Sequence, residues 1–207
     1  DNYTYDQSRY GRLDKVTTTI TGLDVNTNYS YDAYDRITQK SQVNLLANRW
    51  LNTANQSLNV GYGYSTAGKQ TSLTLPSGRV VGYSYNLTAG TLTGINLNNS
   101  ALIRSISYDG ASRVTGWSWG ATGTASYSLS YAPNGLLNSI TNKNNSTVDY
   151  SLTYGYDADG RITAITRNNG LRDGFTYDAT DRLTNENRAN GSASGYAINY
   201  SYDKNGN

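Results

Sequence analysis

The stretch "YGYDADGRIT", Tyr154 to Thr163, decides how the rest of the chain reads. Alone, its two carboxylates, glycine and arginine suggest a catalytic or metal-binding loop. The rest of the sequence shows it to be one copy of a phrase: aromatic–x–Tyr–Asp, a short spacer, then Arg–apolar–Thr. Clear copies recur as "YSYDAYDRIT" (29–38), "ISYDGASRVT" (106–115) and "FTYDATDRLT" (175–184). "YTYDQSRYGRL" (3–13) carries two extra residues before its Arg, and "YSYDKNGN" (200–207) stops before one. Degraded copies are "YGYSTAGKQT" (62–71), "YSYNLTAGTLT" (83–93) and "LSYAPNGLL" (129–137).

The second aromatic of each copy is Tyr5, Tyr31, Tyr64, Tyr85, Tyr108, Tyr131, Tyr156, Tyr177 and Tyr202, at successive gaps of 26, 33, 21, 23, 23, 25, 21 and 25 residues. Nine anchors at near-constant spacing define an internal repeat that spans 1–207 as one array. The gap of 33 places an insertion within "NLLANRWLNTANQSL" (44–58), the one stretch where a short helix is expected.

One copy has a direct physical reading. Tyr154 and Tyr156 are two apart and share a face of a strand. The residue two before each anchor is always large, from Tyr3 to Tyr200, which makes a period-2 apolar face. Asp157–Ala158–Asp159–Gly160 then suits a type I turn. The first carboxylate accepts a backbone N–H, and glycine takes a fourth position where φ is often positive. "APNG" (132–135) fits equally, with Pro133 second. Asp35 and Asp181 replace that glycine and tolerate the left-handed region; Ser112 does so less well, and its turn is expected to depart from the others. After the turn, apolar residues follow three apart, as at Leu137 and Ile140 or Ile162 and Ile165. That spacing does not fit a flat strand, and a β-bulge would reconcile it.

Each repeat is therefore a hairpin plus a connection. Two strands are not stable alone in water, so each must add edge to edge onto its neighbours. The expected fold is all-β: repetitive antiparallel hairpins in a long, curved, solenoid-like strip without substantial helix. Composition agrees. There are 20 Tyr and 21 Gly against one Phe and two Pro, and Glu186 is the only Glu.

The composition also narrows function. Net charge is +2 with no Lys/Arg block, which argues against a phosphate-tracking nucleic-acid surface. No apolar run approaches 18 residues, so no membrane span is expected. Cys and His are both zero, which removes a disulfide framework, the usual zinc ligands and the commonest general base. The chain starts mid-phrase at Asp1 and holds no Met, and so reads as a piece of something longer.

The Tyr–Asp phrase with its Arg–apolar–Thr tail resembles the YD repeat of Rhs proteins, shared with the C component of insecticidal toxin complexes and with teneurin shells. The resemblance covers essentially the whole chain. It implies a β-strip spiralling into a hollow shell that, in bacterial members, encloses a C-terminal toxin and is secreted or delivered out of the cell. It implies as partners the rest of the parent polypeptide and an enclosed toxin cargo. The related teneurin shell serves adhesion, so a glycan or cell surface is the alternative partner, with cell-surface location. The family's Asp-Pro cleavage element is not matched here, since neither Pro76 nor Pro133 follows an Asp. Self-cleavage and toxin activity are not carried over. Exposed sheet edges would also permit edge-to-edge self-association.

Against this background no catalytic, cofactor-binding or metal site is expected. Asp157 and Asp159 could form a carboxylate pair of the glycosidase type. The turn-capping reading is preferred because the phrase recurs where the second Asp does not. "DADG" also falls short of a Ca²⁺ loop by two residues and a terminal Glu. The residues singled out are repeat-structural. They are Tyr5, Asp6 and Arg12; Tyr31, Asp32 and Arg36; Tyr64 and Tyr85; and Tyr108, Asp109 and Arg113. Beyond these come Tyr131; Tyr156, Asp157, Gly160 and Arg161; Tyr177, Asp178 and Arg182; and Tyr202 and Asp203. Each Arg is read as bonding its own Asp or a carbonyl of the next repeat, of small net worth where exposed. Trp117 and Trp119 share a face among glycines; a packing or lining role is preferred over a carbohydrate platform, and both remain candidate cargo or ligand contacts.

Overall fold

The computed structural model describes residues 1–6, 10–20, 23–44, 57–190 and 193–206. The expected insertion, with Trp50, falls largely on 45–56, outside the described residues. Among the described residues seventeen strands run in order: β1 (Asn2–Tyr5), β2 (Leu13–Ile20), β3 (Leu23–Tyr31), β4 (Ile37–Asn44), β5 (Ser57–Tyr64), β6 (Gln70–Thr74), β7 (Val80–Tyr85), β8 (Leu92–Leu97) and β9 (Ser100–Tyr108). They continue as β10 (Val114–Trp119), β11 (Ala125–Tyr131), β12 (Leu137–Asn144), β13 (Thr147–Tyr156), β14 (Ile162–Arg167), β15 (Leu171–Tyr177), β16 (Leu183–Asn190) and β17 (Ala193–Asn199). No helix occurs among the described residues. The all-β, antiparallel hairpin fold expected from the repeat is the fold observed.

The chain divides into two compact units, Asp1–Leu102 and Ile103–Asn207. In the first, β1 to β8 form a meander in which each strand pairs antiparallel with the next. In the second, residues 103–108 of β9 pair with β10, and β10 to β17 continue in the same way. In each meander the Tyr–Asp turns gather at one edge and the other connections at the opposite edge. The connection "LPSGR" at that opposite edge closes like a Tyr–Asp turn: Leu75 N–H donates to Arg79 O at 2.8 Å and Gly78 N–H to Leu75 O at 2.9 Å.

The turns share one backbone solution. Asp157 N–H donates to Arg161 O at 3.1 Å and Gly160 N–H to Asp157 O at 3.2 Å. Gly160 has φ of +82°, and Asp35, Ser112 and Asp181 occupy the same left-handed position at +66°, +61° and +66°. The Ser112 turn thus does not depart from the others: Asp109 N–H bonds Arg113 O, and Ser112 N–H bonds Asp109 O, both at 3.0 Å. The two closing bonds set the backbone, and the serine accepts its cost.

A register shift immediately before eight of the nine anchor tyrosines, Tyr5 to Tyr177, resolves the three-residue apolar spacing. Gly155 faces Ala164 while Tyr156 faces Ile162, so Thr163 is the extra residue. The same shift leaves Thr71, Thr93, Asn138 and Thr184 extra. The bulge sets Ile162 opposite Tyr156 and Ile165 opposite Tyr154, so an i,i+3 aliphatic pair meets an i,i+2 aromatic pair. The bulged side chain itself bonds across the pair. Thr184 meets Thr176 at 2.9 Å, Asn138 Nδ2 donates to Ser130 at 3.1 Å, and Thr115 donates to Ser107 at 2.9 Å. This explains why a threonine or amide follows the Arg–apolar pair.

The alternation gives each meander two unlike faces. Across β11 to β15, one face carries Tyr127, Leu129, Ile140, Tyr154, Ile165 and Phe175, while the other carries Ser128, Ser130, Ser139, Thr153, Ala164 and Gly174. Each meander is a single layer. Among the described residues the only buried apolar side chain is Ala164, packed between Gly155 and Gly174 on the small-residue face.

Candidate functional site

Three groups recur at the turn edge: an Asp, its Arg, and the tyrosine of the following repeat. Asp157 Oδ1 accepts from the backbone N–H of Asp159 at 3.1 Å and of Arg161 at 2.9 Å, and Oδ2 accepts from Arg161 Nε at 2.7 Å. Asp32 with Arg36, Asp109 with Arg113 and Asp178 with Arg182 repeat this arrangement, each with an Nε–Oδ2 distance of 2.7 Å. One carboxylate therefore caps the turn with one oxygen and orients the guanidinium with the other. Desolvation opposes ionisation at Asp32 and Asp157, but the bonds from Arg36 and Arg161 outweigh it, and both carboxyls sit below the usual range. The backbone N–H groups of Arg113 and Arg182 lead the same downward shift at Asp109 and Asp178.

The oriented guanidinium then reaches into the next repeat. Arg36 lies 4.5 Å from the Tyr64 ring centroid, Arg113 4.2 Å from Tyr131, Arg161 5.1 Å from Tyr177 and Arg182 4.6 Å from Tyr202. These are cation–π distances. Arg36 Nη1 also donates to Ser65 O at 3.3 Å, Arg113 Nη1 to Gly135 O at 3.0 Å, and Arg161 Nη1 bonds the Asp181 carboxylate. The tyrosines reach back. Tyr31 donates its hydroxyl to Leu13 O at 2.7 Å, Tyr64 to Ile37 O at 2.9 Å and Tyr85 to Gln70 O at 2.9 Å. Tyr131 donates to Val114 O at 3.1 Å, Tyr156 to Leu137 O and Tyr177 to Ile162 O at 2.8 Å, and Tyr202 to Leu183 O at 2.7 Å. Each part-buried hydroxyl thus finds an acceptor while its ring stays on the apolar face.

The remaining turn residues vary the scheme. Asp6 is itself left-handed, with φ of +67°, and its carboxylate accepts from Gly11 N–H across the longer loop. Arg12 instead pairs forward, with the Asp35 carboxylate and with the Tyr31 ring at 4.9 Å, while Tyr5 stays half exposed. Tyr108 faces Val114 in register, and Asp203 accepts from Asn205 N–H at 2.8 Å. Asp157 and Asp159 do not converge on a groove: Asp159 is 71% exposed and lies 3.2 Å from Arg161 Nη2. No group of three or more metal-ligating side chains occurs among the described residues.

Trp117 and Trp119 fall on the face that carries the tyrosines. The Trp117 ring stacks on Tyr127 at 4.3 Å and 23°, and Trp119 meets its edge at 5.7 Å and 79°. One face of Trp117 is therefore already covered, and Trp119 is the exposed member.

The repeat pattern does not point to Asp173. It is 4% exposed, with Arg188 Nε at 2.6 Å on one oxygen and Arg167 Nη1 at 2.6 Å on the other. The hydrogen bond from Arg188 leads in holding its carboxyl below the usual range, against desolvation and with help from Arg167. The available signal is a lone acid at an inward position of the alternation Leu171, Asp173, Phe175, Tyr177.

A model of the family described as RHS Repeat matches residues 156–193, the span that holds the Asp157 and Asp178 turns. That span is similar to an RHS repeat. The same turn, bulge and tyrosine bond recur in both units. Among solved structures, the chain is similar to a TcdB2–TccC3–Cdc42 crystal structure at 15% identity and a TM-score of 0.60, covering 98% of this chain and 15% of that one. It is similar to TcdB2–TccC3 without its hypervariable C-terminal region at 14% identity and a TM-score of 0.61, covering 97% and 14%. It is also similar to a Photorhabdus luminescens Tc holotoxin pore at 15% identity and a TM-score of 0.58, covering 95% and 13%. These likenesses are of fold, and the chain spans about one seventh of each. Comparison with curated protein sequences finds no match.

Proposed function

We propose that this chain is a stretch of wall in a hollow RHS-repeat shell that encloses and shields a toxin, and that it works without catalysis. The observation that carries this reading is the two-faced single layer. Almost nothing is buried, yet the tyrosines are fixed one repeat to the next by hydroxyl and cation–π contacts. Such a layer is built to face two different environments, as a wall does. A Tyr-lined inner face would meet unfolded or folded cargo through broad, weak contacts. The two units are read as one array of nine repeats, continued by the rest of the parent polypeptide. The Tc holotoxin likeness supports a protein delivered out of a bacterial cell.

Site-specific photo-crosslinking in the complete polypeptide tests this. A photoreactive residue at Tyr154 or Trp119 should capture the enclosed cargo, and one at Ser128 or Thr153 should not. Capture from the small-residue face alone would overturn the reading. Glycan binding abolished by Trp119→Ala would favour adhesion instead.

A further inference from the structure

The repeats themselves show what one turn lacks. At the other Tyr–Asp turns that carry an Arg after the turn, that Arg meets a carboxylate from one of two places. Its own turn supplies Asp32, Asp109, Asp157 or Asp178; the fourth residue of the next turn supplies Asp35 to Arg12 and Asp181 to Arg161. At the turn between β5 and β6 the cation is Lys69. The first source is Ser65, whose hydroxyl accepts only the Lys69 backbone N–H at 3.1 Å. In the second place the next turn is one residue longer, and its fifth residue, Gly90, holds the left-handed position at φ of +67°; a Cβ built there would lie 3.1 Å from Lys69 Cε, so a side chain there would sit directly against the lysine. Lys69 Nζ stands 5.3 Å from the Tyr85 ring centroid and forms no ion pair among the described residues. In the same place lies a cavity of about 260 Å³ lined by Ser65, Lys69, Tyr83, Tyr85, Asn86 and Leu87, among others. Leu87 is fully exposed beside it.

We propose that this cavity binds the side-chain carboxylate of a polypeptide segment in which Asp or Glu precedes an apolar residue. The ligand carboxylate takes the place that Asp35 and Asp181 fill in other repeats, against the Lys69 ammonium and over the Tyr85 ring. The apolar neighbour packs on Leu87 and Tyr83. The carboxylate preference comes from the internal template of the other repeats and is independent of the shell reading, because it concerns the 207-residue chain by itself.

The test is a titration of the ¹⁵N-labelled chain with acetyl-Asp-Leu-amide, with acetyl-Asn-Leu-amide and sodium acetate as comparisons. Saturable shifts are expected at the amides of 65–69 and 86–90, with at least tenfold weaker binding of the Asn peptide. Lys69→Gln should weaken binding at least tenfold while leaving the rest of the spectrum in place. Ser65→Asp, which supplies the carboxylate from within, should abolish binding and raise the unfolding midpoint in urea, showing that the fold is intact. Equal binding of the Asn peptide, or unchanged affinity in Lys69→Gln, would overturn the proposal. Acetate binding as tightly as the Asp peptide would mark a small-anion site and overturn the polypeptide occupant. Cargo-crosslinking results do not bear on any of these outcomes.

Discussion

The guanidinium of Arg113 lies 4.2 Å from the centroid of the Tyr131 ring, in the next repeat, while its Nε is gripped by Asp109 in its own turn at 2.7 Å. The turn acid therefore acts on the neighbouring repeat through the arginine it orients. A double-mutant cycle between Arg113→Ala and Tyr131→Leu should show a coupling of about 0.5–1 kcal/mol, reduced toward the lower figure by solvent at the half-exposed arginine. Additive effects in urea unfolding would separate the two groups.

Tyr131→Phe removes the hydroxyl bond to Val114 O and keeps the ring. The expected loss is about 1 kcal/mol, with the acceptor left partly desolvated. Tyr34→Phe, at a tyrosine 78% exposed, should change stability by less than about 0.5 kcal/mol. Tryptophan-fluorescence urea curves for both variants check the contrast.

Ser112 holds φ of +61° where several repeats have glycine. Ser112→Gly should stabilise the chain by about 0.5–1 kcal/mol, since the left-handed region penalises a Cβ more than glycine loses in chain entropy. Gly160→Ala, at φ of +82°, should destabilise by a similar amount. Thermal melts of the two variants should move in opposite directions.

Gly116 is a close-approach position: a Cβ there would lie 2.7 Å from Tyr127 O, a backbone atom that cannot swing away. Gly116→Ala should cost about 1–3 kcal/mol by forcing β10 and β11 apart. Gly110→Ala, with nothing within 4 Å, is the matched control. Near-ultraviolet circular dichroism of the Trp117–Tyr127 stack would report the separation.

Acid should loosen the strip. Asp32, Asp109, Asp157, Asp173 and Asp178 all sit below their ordinary value of 3.8. A carboxyl lowered in the folded state stabilises it above that ordinary value and stops doing so as pH falls through the lowered one. Stability should hold through neutral pH, since the chain has no His, and decline below about pH 4. Asp178→Asn should flatten that acid limb in urea midpoints measured from pH 7 to 2.

Much of this was legible in the chain. Asp157, Gly160 and Arg161 announced a capped turn, and Tyr154 with Tyr156 announced one face of a strand. The spacing of Ile162 and Ile165 pointed to a bulge without locating it at Thr163. Asp173 was silent because its partners, Arg167 and Arg188, come from two neighbouring strands and belong to no repeated phrase. Trp117 looked open beside its glycines because nothing in "GWSWG" says that Tyr127 will stack on it.

The sequence by itself determined what depends on residues a few positions apart: turn type, strand alternation and bulge chemistry. Only the tertiary structure decided which carbonyl each tyrosine hydroxyl reaches, which ring each arginine covers, and that Lys69 alone among the turn cations described here faces a cavity in place of a carboxylate. The tyrosine hydroxyl bonds join groups 15 to 27 residues apart, and they exist only once strand register is set by pairing between repeats.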